Sequence, residues 1–194
     1  MSGRKSVDRF SGNEVLTQLR LLPNLISLTR IVLVWPIAVF YSIPTPLAYW
    51  TVLLLIVISY ISDFIDGFVA RQLSQQSRLG LVLDPVADKI WTIAMVFLIY
   101  FYRGFPMWIM AVIILRDITI LYFNLRLYMR NGQIMSSDEI GRKYMVVLGL
   151  LVIGYTLRIP GIIWLAYFLV VMAGVTWVHY YSRYSKKMRT STVV

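Results

Sequence analysis

Six apolar runs, each close to twenty residues long, occupy most of this chain. They cover residues 24–41, 46–63, 82–102, 106–128, 139–157 and 160–181. A run of ~20 apolar residues, coiled as an α-helix, matches the ~30 Å hydrocarbon core of a bilayer. No water reaches that core to satisfy an open backbone, so such runs must close their hydrogen bonds internally, as helices. Composition agrees, with 59% of the 194 residues hydrophobic and a mean hydropathy of +0.71. A soluble domain of this length is far more polar. Pro44 with Pro46, Gly104 with Pro106, Asn131-Gly132 and Pro160-Gly161 mark the joints between runs. Trp50, Trp108, Tyr180, Tyr181 and Tyr184 stand near run ends, as an aromatic belt requires.

The expected fold is therefore an all-α integral membrane protein of six transmembrane helices. A short amphipathic interfacial helix precedes them over 12–22: Ser11 to Glu14 has capping-box spacing, and Val15, Leu16 and Leu19 share one face until Pro23 stops the pattern. Residues 1–10 carry no apolar core and do not read as a signal peptide. The chain divides into an N-terminal segment (1–23), one six-helix membrane domain (24–184) and a basic tail (185–194).

Charge sets the orientation. Fourteen Lys and Arg residues flank one set of run ends: Arg4, Lys5, Arg9, Arg20, Arg71, Arg78, Arg126, Arg130, Arg142, Lys143, Arg183, Lys186, Lys187 and Arg189. The opposite ends carry only Arg103 and Arg158. By the positive-inside rule both termini are cytoplasmic. The net charge of +10 then reflects topology and anionic headgroups, with no nucleic-acid partner. With no cysteine and a single histidine, His179, thiolate chemistry and multi-histidine metal sites are excluded.

Against this background the acids are conspicuous. Of nine in the chain, four lie between residues 63 and 88: Asp63 and Asp66 at i,i+3, Asp84 and Asp88 at i,i+4. Each pair falls on one helical face, at the cytoplasmic edge of the second or third run. Four carboxylates at one depth repel one another and lose hydration, so they need cations to stay ionised. Oxygen-only donor sets of this kind suit Mg²⁺ or Mn²⁺, and paired ions are common where phosphoryl chemistry is done. Gly67 and Ala70 share the Asp63–Asp66 face and remove bulk there, as Gly80 does before the third run, while Arg71 and Arg78 add positive charge. Intramembrane ionisable groups are functional by default. The alternatives are a structural cluster paired with Lys89, Arg30 and Arg71, or a non-enzymatic cation transporter.

Residues 63–88 read D-x2-D-G-x2-A-R-x8-G-x3-D-x3-D. This resembles the signature of the CDP-alcohol phosphotransferase family (CDP-alcohol phosphatidyltransferases), with all eight specified positions matched and no gap. Six spans with the motif across the second and third are also the family's plan. The resemblance implies that Asp63, Asp66, Asp84 and Asp88 hold two divalent ions, and that Asp88 is also the general base. It implies that Gly67, Ala70 and Gly80 pack against a cytidine nucleotide, with Arg71 in support. It implies transfer of a phosphatidyl group from CDP-diacylglycerol to an acceptor hydroxyl with release of CMP, and a homodimer in contact with membrane lipids.

Residues 23–30 and 83–89 resemble two branches of the family, the phosphatidylglycerophosphate synthases and the eukaryotic-type cardiolipin synthases. Their acceptors are glycerol 3-phosphate and phosphatidylglycerol; an inositol phosphate is the third choice. Arg116-Asp117 resembles the cardiolipin branch; deep in the fourth run, these two residues either line the acceptor cavity or pair with other helices. Gly141-Arg142-Lys143-Tyr144-Met145 departs from the G-K-x-K-T pattern of the other branch, because Tyr144 stands for the second lysine and Met145 for the threonine. The preferred acceptor is glycerol 3-phosphate. The candidate residues for its phosphate are Arg30, Arg116, Arg142, Lys143 and Arg183. Lys89 is read as neutralising charge beside Asp88, and His179 as a headgroup-level residue.

Overall fold

A computed structural model describes residues 22–72, 80–131 and 139–190. All regular structure in them is helical, in six helices: α1 (Leu22–Ser42), α2 (Pro46–Gln72), α3 (Gly80–Arg103), α4 (Met107–Asn131), α5 (Glu139–Thr156) and α6 (Ile163–Thr190). No strand occurs among the described residues. Helices α1 to α3 contain the first three apolar runs, and α4 to α6 cover most of the other three. The expected interfacial helix over 12–22 lies outside the described residues apart from Leu22, where α1 begins. Pro23 falls in the first turn of α1, where its missing N–H removes no helical bond.

Two helices outrun their apolar stretches. Helix α2 continues to Gln72, nine residues past the expected end at 63, and α6 to Thr190, nine past 181. Hydropathy marks where apolar side chains stop, whereas extending a formed helix fixes one residue per hydrogen bond gained. The first half of the acidic motif is consequently helical throughout. The domain boundary expected at 184 falls within α6.

Among the described residues, three segments are long and apolar enough to cross a membrane: Pro85–Arg103, Met107–Arg130 and Ile163–Met188. Leu28–Ser42 and Pro46–Ser62 are shorter apolar helices. Large apolar side chains point outward along the bundle, with Val32 68%, Leu115 65% and Val171 66% exposed. Water would penalise such a surface; lipid does not.

Helix α3 packs against α1, α4 and α5; α1 also meets α2, α2 meets α5, and α6 closes on α4 and α5. The core between them draws on all six helices, including Ile37, Ile56, Met95, Ile113, Leu148 and Leu169. A smaller cluster of Ile120, Leu127, Tyr180 and Tyr184 joins the last turns of α4 to α6, with Phe123 stacked on Tyr184 at 4.6 Å.

Close approach is built in where α2 meets α5. A methyl group added at Gly149 would stand 2.7 Å from the ring of Tyr60, which itself sits edge-on to Trp91 at 4.8 Å. Gly149→Val is expected to cost about 1–3 kcal/mol through overpacking. Thermal unfolding of the purified protein checks this, and an unchanged midpoint would mean that Tyr60 swings aside without loss.

Helix α5 ends in a Schellman turn. The Ile159 N–H donates to the Gly154 carbonyl at 3.0 Å and the Arg158 N–H to that of Tyr155 at 3.2 Å. The left-handed position of this turn, where glycine is usual, is held by Arg158 at φ 53°.

Candidate active site

The acidic motif lies at one end of the bundle, on the last turns of α2 and the first of α3. Asp63, Asp66, Gly67, Ala70 and Arg71 belong to α2; Gly80 is the first residue of α3, and Asp84 and Asp88 follow on it. Because the backbone is helical across both halves, the i,i+3 and i,i+4 spacings place each carboxylate pair at neighbouring positions on one face. The side chains of Asp63, Asp66, Arg71 and Asp84 lie outside the described set, as do the surroundings of Gly67, Ala70 and Gly80. Among the described residues no group of three His, Asp or Glu side chains gathers to hold a metal.

Asp88 is described, and it opens a buried chain of charges. Its carboxylate is 26% exposed, and Oδ2 meets Lys89 Nζ at 2.9 Å. Lys89 Nζ also faces Asp117 Oδ2 at 3.5 Å, a charge contact without hydrogen-bond geometry. Asp117, fully buried, accepts a 2.6 Å bond through Oδ1 from Arg116 Nη1. Arg116 Nε donates to Thr176 Oγ1 at 3.2 Å, and its guanidinium lies 3.9 Å from the centre of the Tyr144 ring. Four helices thus converge on two cations and two carboxylates whose formal charges cancel. Paired in this way, buried charges are tolerable.

The expectation for Lys89 is met: it neutralises Asp88, and it also reaches across to α4. Arg116 and Asp117 pair with other helices, one of the two roles expected for them; Lys89, Tyr144 and Thr176 were not anticipated as their partners. A signal existed, since Lys89, Arg116 and Asp117 are the charges deepest inside apolar runs and buried charges must find opposites. The departure at Tyr144 now has a physical account. Where the other branch pattern has a lysine, a fully buried ring forms a cation–π platform under Arg116.

The basic acceptor candidates occupy different environments. Arg30 is buried on α1, and Arg116 is committed to Asp117, Thr176 and Tyr144. Arg142 and Lys143 are exposed at the start of α5, and Lys143 pairs with Glu139 one turn earlier at 3.5 Å. Arg183 is half-buried on α6, with His179 one turn before it.

Comparison with known proteins follows the same lines. The family model described as CDP-alcohol phosphatidyltransferase matches residues 20–179. The chain is 41% identical over 71 residues (37% of this chain, 38% of the relative) to a CDP-diacylglycerol–glycerol-3-phosphate 3-phosphatidyltransferase of Aquifex aeolicus. A protein of the same name from Cereibacter sphaeroides is 34% identical over 89 residues (45% and 40%). A protein provisionally named cardiolipin synthase, from Mycobacterium tuberculosis, is 36% identical over 105 residues (53% and 49%). The chain spans about half or less of the length of these relatives.

Proposed function

Since the chain belongs to the CDP-alcohol phosphatidyltransferase family, we propose that it is a membrane enzyme of anionic phospholipid synthesis. It transfers the phosphatidyl group of CDP-diacylglycerol to a hydroxyl of glycerol 3-phosphate and releases CMP. The observation that carries this reading is the complete eight-position motif, D-x2-D-G-x2-A-R-x8-G-x3-D-x3-D, on two consecutive helices within the matched region. Family membership favours an enzyme over a cation transporter.

The donor set fits divalent cations. It is four carboxylates, hard oxygen ligands, with no cysteine in the chain and its one histidine on another helix. Asp63, Asp66, Asp84 and Asp88 would hold two Mg²⁺ or Mn²⁺ ions, whose charge would polarise the diphosphate. Gly67, Ala70 and Gly80 leave room for the cytidine end, and Arg71 supports it. Asp88 takes the proton of the acceptor hydroxyl. The acceptor oxygen then attacks the phosphatidyl phosphorus in line, and the bond to CMP breaks. Arg30, Arg142, Lys143 and Arg183 supply positive charge for the acceptor phosphate, and Arg116 acts from behind through Asp117 and Lys89.

The membrane domain comprises 24–184, with all six helices spanning, the segment 1–23 and the tail 185–194 flanking it, and both termini and the acidic motif on the cytoplasmic side. The fourteen-to-two distribution of basic residues supports this topology. A site at that boundary keeps the cytidine wet and the acyl chains in lipid. The working unit is a homodimer.

A second reading, cardiolipin synthesis with phosphatidylglycerol as acceptor, is favoured by one observation. Tyr144 is buried beneath Arg116, so it contributes no cation to an acceptor pocket.

Purified protein given radiolabelled CDP-diacylglycerol should release CMP with Mg²⁺ or Mn²⁺ and fall to background with a chelator. Glycerol 3-phosphate and phosphatidylglycerol offered together separate the acceptors by labelled product. No CMP release with either of them, or with an inositol phosphate, would overturn the proposal.

A further inference from the structure

At the end of the bundle opposite the acidic motif, a cavity of about 270 Å³ lies between the last turn of α3 and the α5–α6 turn. Tyr102, Arg103, Tyr155, Arg158, Ile159 and Ile162 line it. Fifteen residues of α3 separate Arg103 from Asp88, roughly 22 Å along the helix. These two arginines are the only basic residues in the turns at this end, and none of the chain's nine acids lies in those turns. Three helix C-termini and three N-termini gather here, so their dipoles largely cancel and do not neutralise two guanidinium groups.

Both arginines are presented by their surroundings. Arg103 sits 5.2 Å from the ring centre of Tyr41 and 5.9 Å from that of Tyr49, while its Nε is buried and makes no hydrogen bond. Tyr41 is fixed in turn by stacking on Tyr102 and by a hydrogen bond with Thr156. Arg158 holds the left-handed position of the Schellman turn at φ 53°, a conformation that strains a side chain and that glycine adopts freely. The Arg158 side chain is exposed at this turn, so it adds a charge at the cavity mouth where the usual glycine would add none.

We propose that this cavity binds a phosphate group, held between Arg103 and Arg158. Guanidinium groups match phosphate oxygens in geometry and charge. Ile159 and Ile162 add an apolar wall, which favours the headgroup phosphodiester of a membrane lipid over a free ion. The volume is below the ~300–1,000 Å³ of drug-sized pockets, which suits a headgroup whose acyl chains remain in the bilayer. The site is separate from the transfer chemistry and does not rest on it.

The test is thermal unfolding of the full chain in a neutral detergent, titrated with dihexanoyl phosphatidylserine, with dihexanoyl phosphatidylcholine, or with inorganic phosphate. Saturating phosphatidylserine should raise the midpoint by roughly 5 °C. Arg158→Gly should keep or raise the midpoint without lipid, because it relieves the left-handed strain, yet weaken the lipid response at least about tenfold. Arg103→Gln should weaken it likewise, Arg103→Lys less, and Lys187→Gln not at all. Inorganic phosphate that reproduces the shift and competes with the lipid would assign the site to the free ion. A shift that is absent in the wild type, or unchanged in Arg158→Gly, would overturn the proposal.

Discussion

Asp88→Asn is expected to slow CMP release by ~10²–10⁴-fold, the usual contribution of a positioned general base. An amide has nearly the shape of the carboxylate but takes no proton from the acceptor hydroxyl. The stability cost should be small. Asp88 is partly exposed, so an amide there stays hydrated, and Lys89 keeps Asp117 at 3.5 Å as its other counter-charge. Rate and unfolding midpoint measured on one preparation therefore separate chemistry from folding. Because Asp88 also belongs to the proposed cation-binding set, the variant should need more Mg²⁺ for half-maximal rate. Raising Mg²⁺ should restore binding without restoring the rate at saturation. Wild-type turnover in this variant would remove Asp88 from the mechanism, and full rescue by excess Mg²⁺ would leave it a ligand only.

Much of this was legible in the sequence. The apolar runs located all six helices, because helices are the structure available to segments of that length in lipid. Their ends were less legible. The last turns of α2 and α6 are polar, and hydropathy cannot tell a helix leaving the bilayer from a loop. The Schellman turn was hidden because its usual marker, glycine, is replaced by Arg158. At the site, the motif was visible because its chemistry is local: two pairs of acids at helical spacing, with small residues between. The ion-pair chain was not, because its links join residues far apart in sequence, as Lys89 to Asp117 and Arg116 to Thr176. Each member drew notice or not by its own chemistry. Lys89 and Arg116 stood out as charges in apolar runs; Thr176 and Tyr144 did not, since hydroxyls and aromatic rings are ordinary in membrane helices.

That chain yields the largest stability effect. Asp117→Leu should destabilise the protein by about 3–5 kcal/mol, the cost of leaving buried charge without its partner. Arg116 would lose its 2.6 Å bond and Lys89 its contact across to α4, in a region where Arg116 is 5% exposed and Asp117 is not exposed at all. For a chain of this length the unfolding midpoint should fall by roughly 10 °C or more. The exposed pair Lys143–Glu139, 67% and 76% exposed, is the internal contrast: Glu139→Gln should change stability by less than about 1 kcal/mol. A compensated variant sharpens the argument. Combining Asp117→Leu with Arg116→Met and Lys89→Met removes the three buried charges of this chain of ion pairs and leaves Asp88 to solvent. It should recover most of the lost stability, since apolar side chains of similar size replace buried ion pairs at little or no cost. Its turnover should stay low even so, because Asp88 would have lost the Lys89 contact that fixes its carboxylate. Wild-type stability in Asp117→Leu would mean that Lys89 and Arg116 find other partners. Wild-type turnover in the compensated variant would mean that the chain supports the fold alone and does not position Asp88.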